Sequence, residues 1–237
     1  QRAIREGMAP VIQLSSTGEA EFNRQLDGGK DVSEIKVGSS IVNILEHILL
    51  PASKLQPTLT RNLNHLTHHL VHLLERWKRV PSVELPLDQI MDAFGPEAFG
   101  EMSGRSKRRL KDGTSYRVAP RNQQDALADH AAFMNGMRQG IVFTTQYGGT
   151  GYDYDANAKV LNKAQRLHII VETSNQVDQV VQGIGRTHRS GQVIEPIVML
   201  ARSDLPGESI RNASIQRNIT RLGALSMGHR DGASRAL

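Results

Sequence analysis

Two features common in other protein classes are missing from this sequence: it has no cysteine and no long apolar run. Without cysteine the chain forms no disulfide bond and offers no thiolate to a metal, which fits a reducing compartment. No stretch approaches the roughly 18 apolar residues of a membrane helix, and no signal peptide is visible. These absences predict an intracellular protein, in the cytoplasm or in the nucleus, without a membrane partner.

The sequence also lacks the residues that hold nucleotide phosphates in P-loop proteins. No G-x-x-x-x-G-K-[ST] occurs, and the nearest candidate, residues 28–31 (GGKD), lacks both the spacing and the hydroxyl that would reach magnesium. No Asp-Glu pair ends an apolar strand. By itself the chain is therefore not expected to cradle the β- and γ-phosphates of a nucleotide or to hold its magnesium ion.

The length and the charge of the chain set wider bounds. Its 237 residues are enough for one good core, or for one core with an insertion. Lys and Arg outnumber Asp and Glu by 29 to 24, and this modest basic excess is compatible with a nucleic-acid partner. The first residue is Gln1 rather than Met, which predicts a piece of a longer polypeptide, a processed product or an expressed fragment.

A pair of arginines stands in residues 182–192, which read QGIGRTHRSGQ. Arg186 and Arg189 are three positions apart, so on a helix their guanidinium groups share one face. Arginine carries a permanent charge and five donors, which suits a polyphosphate. Upstream, the apolar run 168–173 predicts a buried strand, and 175–182 predict a helix. A solvated basic helix start is the simpler interpretation of two arginines alone.

A glycine-rich segment follows another predicted strand. Residues 141–145 (IVFTT) predict a buried strand, and 145–153 continue as TQYGGTGYD. Glycines at 148, 149 and 151 allow a backbone to approach a ligand closely. Alone such a loop is weak evidence for binding, and the arginine pair that follows it in the sequence makes the evidence stronger.

These two segments resemble known helicase motifs. Q-x-x-G-R-x-x-R, which runs here from Gln182 to Arg189, is motif VI of superfamily 2 helicases, and the R-x-G-Q ending is similar to that of Swi/Snf-type remodellers. Thr145, Gly151 and Asp153 satisfy the motif V pattern of T, five residues, then G-x-D. Many helicases carry a third arginine where this chain has Gly183.

Three further stretches resemble the strawberry notch family of helicase-like proteins. Residues 80–105 match its L-P-x-x-x-L-D…E-M-T-G-R hallmark, with Ser103 in place of Thr. Residues 13–20 contain Q-x-S-S-T-G-E-A, which is similar to the family's motif IV, and 203–225 resemble its S-D-L-A-G-E…L-G-A-L ending. The glycine loop at 147–154 departs from the family's A-A-S-S-G-I-S-L and keeps the broader superfamily pattern.

The resemblance implies the second RecA-like domain of a helicase. Such a domain has an α/β fold, with a parallel sheet flanked by helices, and here it carries a helical insertion after the first strand–helix unit. The implied boundaries are 1–29 for the motif IV strand and its helix, 30–98 for the insertion, 99–205 for the rest of the core, and 206–237 for a C-terminal helix and tail.

The local patterns agree with this architecture. Residues 11–14 (VIQL) predict a buried strand, and Ser16 or Thr17 is expected to cap the helix after it. Further strands are expected at 99–103 and 194–201. Helices are expected at 39–50, 58–78, 87–94 and 123–138.

The resemblance also implies roles for individual residues. Arg186 and Arg189 would act as catalytic arginine fingers on ATP, which is bound with Mg²⁺ by a first RecA-like domain in the same or another chain. Other residues would line the cleft around the nucleotide: Gln182, Gly185, Gly151 and Asp153, the last toward the ribose. Contacts to nucleic acid are implied for Thr145, Gln146 and Thr150. The chain alone is not expected to be an active enzyme.

Residues 105–121 are strongly basic, with one acidic residue, Asp112, next to Gly113 in a hairpin turn signal. A basic hairpin is suited to a phosphate backbone, and Tyr116 is available for base stacking. A solvated hairpin without a ligand is the alternative. The basic residues expected to bind nucleic acid are Arg105, Lys107, Arg108 and Arg109.

Four histidines lie close together in the predicted helix 58–78. His65, His69 and His72 share a face, His68 is adjacent, and three imidazoles at this spacing are able to bind zinc. An apolar stripe of leucines runs beside them, which is typical of an ordinary amphipathic helix. Because no carboxylate or cysteine ligand is near, no metal site is predicted.

Two functions from different classes fit the sequence. The first is the C-terminal half of an ATP-dependent helicase or translocase, with DNA as the expected nucleic acid. The second is a catalytically incomplete binding or structural module of a larger assembly, such as a phage anti-restriction complex, and a virion location fits that hypothesis if the protein is phage-encoded. A nuclease is disfavoured because the sequence lacks the paired acids that hold magnesium or manganese in such sites.

Overall fold

A computed structural model describes residues 1–35, 84–172 and 177–201, together with the single residues 69, 72, 75, 76, 79, 213, 216 and 217. Most of the predicted helical insertion lies outside the described residues, including the whole of the helix at 39–50 and all but four residues of the helix at 58–78. The same is true of most of the predicted C-terminal helix and tail at 206–237.

The described elements are a mixture of strands and helices along the chain, as expected for an α/β fold. In order they are α1 (Arg2–Arg5), β1 (Ala9–Leu14), α2 (Glu19–Asp27), a 3-10 helix (Val32–Glu34), α3 (Pro86–Phe94), β2 (Phe99–Met102), β3 (Lys107–Asp112), β4 (Ser115–Pro120), α4 (Gln123–Met134), β5 (Gly140–Thr144), β6 (Arg166–Ile170), α5 (Val177–Thr187) and β7 (Ile197–Leu200). None of the helices in these described stretches has the length and apolar character needed to cross a membrane.

Five strands form one parallel sheet in the order β2-β5-β1-β6-β7. The central strand β1 pairs with β5 on one side, where Leu14 lies opposite Thr144, and with β6 on the other, where Val11 lies opposite His168. This confirms the predicted parallel sheet flanked by helices. Because all strands run the same way, the segments that follow β1, β5 and β6 emerge at one edge of the sheet.

Most of the sheet is buried because its strands are largely apolar on both faces, as parallel strands covered on both sides must be, whereas the edge strand β7 is mainly exposed. Every residue of β1, β2 and β5 is buried. One apolar cluster joins these strands to α4 and to the loop after β5, and its members include Val11, Met102, Phe133, Phe143 and Tyr154. Gln13 and Glu101 are the polar exceptions on these strands with fully buried side chains.

Two helix starts differ in how well they were predicted. α4 begins at a capping box, in which Asn122 accepts from the backbone of Gln124 and Asp125 while Asp125 accepts from Asn122. The predicted Ser16 or Thr17 cap on α2 is wrong, because the N-cap residue is Gly18, with φ of 70° and no side-chain cap. A side chain at Gly18 would lie 2.4 Å from Leu85, so the packing leaves room only for glycine.

The chain divides into two compact units. The first comprises residues 1–17, 90–108 and 119–237, and it contains the five-stranded sheet and the predicted motifs V and VI. The second comprises residues 18–89 and 109–118. Its described core is a cluster of Phe22, Ile35 and Leu85.

Candidate functional site

The two predicted finger arginines meet on one carboxylate. Arg186 lies in the last turn of α5 and Arg189 lies just beyond it, while Asp153 lies in the loop between β5 and β6. Arg189 donates to Oδ1 of Asp153 from Nε at 3.1 Å and from a terminal nitrogen at 2.8 Å, and Arg186 donates to the same oxygen at 3.3 Å. The motif V acid and the motif VI arginines therefore form a single charged group.

Backbone contacts fix the loop to the end of the helix. Arg186 donates from Nε to the carbonyl of Gly149 at 2.9 Å, and its own carbonyl accepts from the backbone N–H of Tyr154 at 2.7 Å. From the other side, His130 Nε2 lies 2.9 Å from the carbonyl of Asp153. The side chains of Arg186 and Arg189 are 20% and 43% exposed, so both reach solvent from an anchored backbone.

The glycines of the loop are explained by the packing of the loop itself. A side chain at Gly148 would lie 2.6 Å from the Tyr154 hydroxyl, and one at Gly149 would lie 2.3 Å from the carbonyl of Thr145. Gly151 has φ of 81°, in the left-handed region that favours glycine. The sequence predicted that these glycines allow a ligand to approach. For Gly148 and Gly149 the packing of the loop gives a second reason for glycine, since a side chain would clash inside the loop.

Tyr154 anchors this glycine loop to the hydrophobic core. Its side chain is fully buried, stacks on Phe143 with ring centroids 4.9 Å apart, and donates from its hydroxyl to the carbonyl of Gly148 at 2.8 Å. Burial raises the pKa of this phenol well above its ordinary value, so the hydroxyl stays protonated. The residue therefore acts as a fixed donor that holds the glycine loop.

The remaining residues of the two motifs differ in exposure. Thr145 is buried, and its hydroxyl donates to the carbonyl of Leu14 at 3.1 Å, which ties the end of β5 to the end of β1. Gln146, Thr150 and Gln182 are exposed, and Gly185 is half-buried. The exposed three are open to a ligand, whereas the Thr145 side chain is already used inside the domain.

Arg105 is buried in an ion pair rather than presented to solvent. It binds Glu101 with both ends of its fork, at 2.7 Å and 2.8 Å. Arg121 lies 3.6 Å from the same carboxylate and donates to Asp129 at 2.8 Å. Burial opposes ionisation of Glu101, yet Arg105 and Arg121 hold its pKa below the ordinary value. This placement argues against a direct contact of Arg105 with nucleic acid.

The basic hairpin forms as predicted, with β3 and β4 joined at Gly113. Arg109 is buried, lies 3.3 Å from Glu84 and sits 4.3 Å over the ring of Tyr116, so that ring stacks on an arginine of its own hairpin. Lys107 is exposed and Arg108 is half-buried. Of the basic residues assigned to nucleic acid, Arg109 resembles Arg105 in being enclosed by protein, and Lys107 and Arg108 remain reachable.

Most of the chain matches the model of one known protein family. A family model described as the C-terminal domain on strawberry notch homologues matches residues 85–236, which is more than half of the chain. The chain belongs to this family. It is a strawberry notch-type helicase C-terminal domain, as its motifs predicted.

Individual relatives support the same assignment. The chain is 29% identical to human protein strawberry notch homolog 2 over 94% of its length, and 31% identical to Drosophila melanogaster protein strawberry notch over 61%. It is 30% identical to Arabidopsis thaliana protein FORGETTER 1 over 61% of its length. The chain spans 18%, 9% and 12% of these relatives, so it corresponds to a small part of each.

Among solved structures, the strawberry notch-type domain is similar to the C-terminal part of the Fun30 ATPase domain. The identity is 19% and the TM-score is 0.35, over 53% of this chain and 34% of that chain.

Sequence reasoning missed a group of polar side chains inside the strawberry notch-type domain. Gln13 on β1, His168 on β6 and Thr187 at the end of α5 are buried and hydrogen-bonded to one another. At the carboxyl edge of the sheet, Ser15 donates from its backbone N–H and its hydroxyl to Glu172, at 3.1 Å and 2.6 Å. The available signal was a polar residue inside an apolar strand, as in VIQL and HIIV.

The histidine cluster is only partly visible in this domain. His69 and His72 are exposed, and His65 and His68 lie outside the described residues. Within the part of the chain that the structure describes, no group of three or more metal-binding side chains is found.

Proposed function

We propose that this domain is the C-terminal half of an ATP-dependent nucleic-acid helicase or translocase. In this proposal Arg186 and Arg189 act across a cleft on ATP that a first RecA-like domain binds. The observation that carries it is the meeting of Asp153 with both arginines, because residues of motifs V and VI must lie together to serve one nucleotide. Family membership supports the same assignment, although the chain spans only a small part of the length of each of these relatives.

Hydrogen bonds inside the domain fix the positions of both arginine side chains before a nucleotide binds. Asp153 accepts from both guanidinium groups, and the carbonyl of Gly149 accepts from Arg186, so the long side chains are held extended before a nucleotide arrives. Each guanidinium has five donors, of which these contacts use two per residue. Donors therefore remain for phosphate oxygens, and less side-chain entropy is lost on binding.

The residues of this domain suit the phosphate groups and the ribose of a nucleotide. The other nucleotide contacts would come from the first RecA-like domain. Two partly exposed guanidinium groups suit the charge that develops on a transferred phosphoryl group. Asp153 is the group that would turn to the ribose. The Mg²⁺ that accompanies ATP would neutralise phosphate charge, and the resemblance assigns its ligands to the first domain.

Nucleic acid is assigned to the exposed basic residues of the hairpin. Lys107, Lys111 and Arg117 are exposed, and Arg108 is half-buried. Such side chains bind the phosphate backbone without regard to sequence, and DNA is the expected partner. Gln146 and Thr150, next to the arginine group, are the residues that would couple this contact to the nucleotide.

The test is nucleic-acid-stimulated ATP hydrolysis by a polypeptide that carries this domain and a first RecA-like domain. Arg189→Ala and Arg186→Ala are compared with Arg5→Ala, which removes an exposed arginine from α1. Loss of a finger is expected to lower kcat by about a thousandfold or more, with Arg5→Ala unchanged. Equal activity in all variants would overturn the motor proposal and favour a binding module.

A further inference from the structure

A chain of three buried polar side chains connects the centre of the sheet to the end of α5. His168 Nδ1 lies 2.8 Å from the hydroxyl of Thr187, and His168 Nε2 lies 2.9 Å from the side-chain oxygen Oε1 of Gln13. All three residues are fully buried. The chain thus passes from β1 through the neighbouring strand β6 to the last residue of the helix, which carries Arg186 and is followed two residues later by Arg189.

The same helix also touches β1 directly. A side chain at Gly183 would lie 2.2 Å from the amide of Gln13, so the helix backbone rests on that amide. This contact explains why the position held by a third arginine in many helicases is glycine here. α5 is therefore fixed by a close contact at Gly183 and by a hydrogen bond at Thr187, one turn apart.

The hydrogen atoms of this chain follow from a neutral imidazole. Burial lowers the pKa of His168 to about 3, so the ring carries one proton at neutral pH. Oε1 of Gln13 can only accept, so Nε2 carries the hydrogen and donates to it. Nδ1 is then an acceptor, and it accepts from the Thr187 hydroxyl, which also lies 3.0 Å from the carbonyl of Ile184.

Thr187 stands directly after Arg186 and two residues before Arg189. A rotation of the helix end would move both guanidinium groups, because each lies at the end of a long side chain on this turn. We propose that His168 is a positioning residue, which holds Thr187 and thereby aims Arg186 and Arg189 at Asp153 and, if the proposed function is right, at ATP. A misplacement of about 1 Å is enough to cost about a hundredfold in rate.

The decisive pair of variants is Thr187→Val and Thr187→Ser. Valine keeps the shape of threonine and removes the hydroxyl, whereas serine keeps the hydroxyl and removes a methyl group. The first measurement is NMR of the Nε–H groups of Arg186 and Arg189 in the ¹⁵N-labelled 237-residue chain. Hydrogen exchange at both is expected to speed up by about tenfold in Thr187→Val, as for one lost hydrogen bond, and to stay slow in Thr187→Ser.

The second measurement is ATP hydrolysis by the polypeptide that includes a first RecA-like domain. Thr187→Val is expected to lower kcat by about a hundredfold with KM for ATP nearly unchanged, while Thr187→Ser keeps most of the rate. A purely structural hydroxyl would instead lower the thermal midpoint in Thr187→Val and leave both kcat and the arginine signals as in wild type. That result would overturn the proposal.

If Thr187→Val does not fold, His168→Asn and His168→Leu supply the same comparison. The amide oxygen of asparagine is as many bonds from Cα as Nδ1, so it retains an acceptor toward the Thr187 hydroxyl, whereas leucine has none. Slow exchange at the arginines in both variants would overturn the positioning role. Failure of the proposed function gives a different result: ATP hydrolysis would survive in Arg186→Ala and Arg189→Ala. The NMR comparison needs no ATP hydrolysis, so it would still test the positioning role of His168.

Discussion

Arg189 donates twice to a single oxygen of Asp153, from Nε at 3.1 Å and from a terminal nitrogen at 2.8 Å, although 36 residues separate the two in the sequence. The pair is about half-exposed, with side-chain exposures of 43% and 47%. A carboxylate in this position accepts from two of the five donors of Arg189 and holds the side chain in one place.

Removing the Asp153 charge should loosen the arginines. In Asp153→Asn we expect faster hydrogen exchange at Nε of Arg189, because an amide oxygen is a weaker acceptor than a carboxylate. kcat/KM for ATP should fall by about tenfold, as for one hydrogen bond to a charged group. NMR and steady-state kinetics measure the two effects. Asp112→Asn, at the exposed hairpin turn, is the control and should change neither.

Neutralising Glu101 should destabilise the fold strongly. Glu101→Gln would leave the buried Arg105 and Arg121 without their carboxylate, which costs about 3–5 kcal/mol. The matched control is Glu97→Gln, since Glu97 also pairs with an arginine but its side chain is 94% exposed, and it should cost under about 1 kcal/mol. Urea unfolding measures both, and equal midpoints would contradict the role assigned to Glu101.

The hairpin should bind nucleic acid through its exposed residues only. Lys111→Ala and Arg117→Ala should each lower the slope of log affinity against log salt by about 1, the value for one lost phosphate contact. Arg109→Ala should leave that slope unchanged and reduce stability, because Arg109 is enclosed by Glu84 and Tyr116. Fluorescence anisotropy of a labelled single strand at several salt concentrations measures the slopes.

Stability should fall toward acid pH through His168. Its folded pKa of about 3 lies below the ordinary value of 6.5, so the unfolded chain binds the proton first and the folded state loses stability as pH falls below 6.5. Between pH 8 and pH 5 this group should cost about 2 kcal/mol. His168→Gln removes the titration while the other histidines remain, so the wild type should lose about that much more than the variant in urea unfolding.

Four strands were predictable because β1, β5, β6 and β7 all lie where short apolar runs stand, and β2 lies in the stretch that resembles the strawberry notch hallmark. The arginine pair was singled out for a local reason too, since residues three apart on a helix share a face, although Arg189 lies just beyond the helix end. The contact of the arginines with Asp153 was not predictable from local sequence. It depends on the order of the strands in the sheet, which brings the loop after β5 close to the end of α5.

The burial of arginine was the other property that local sequence did not reveal. Charge normally indicates exposure, and Arg105 and Arg109 read as part of a solvated basic stretch. Each is enclosed because an acid elsewhere in the chain, Glu101 or Glu84, faces it. The predicted roles of the exposed motif residues, and the predicted boundaries within the chain, remain predictions.

The contact between Gly183 and Gln13 has a consequence for sequence variation across the family. A side chain at position 183 and a glutamine at position 13 compete for one volume, so the two positions should change together. A relative that gains a third arginine on this helix is expected to carry a smaller residue on its first strand. Engineering such an arginine into this chain would require both substitutions at once.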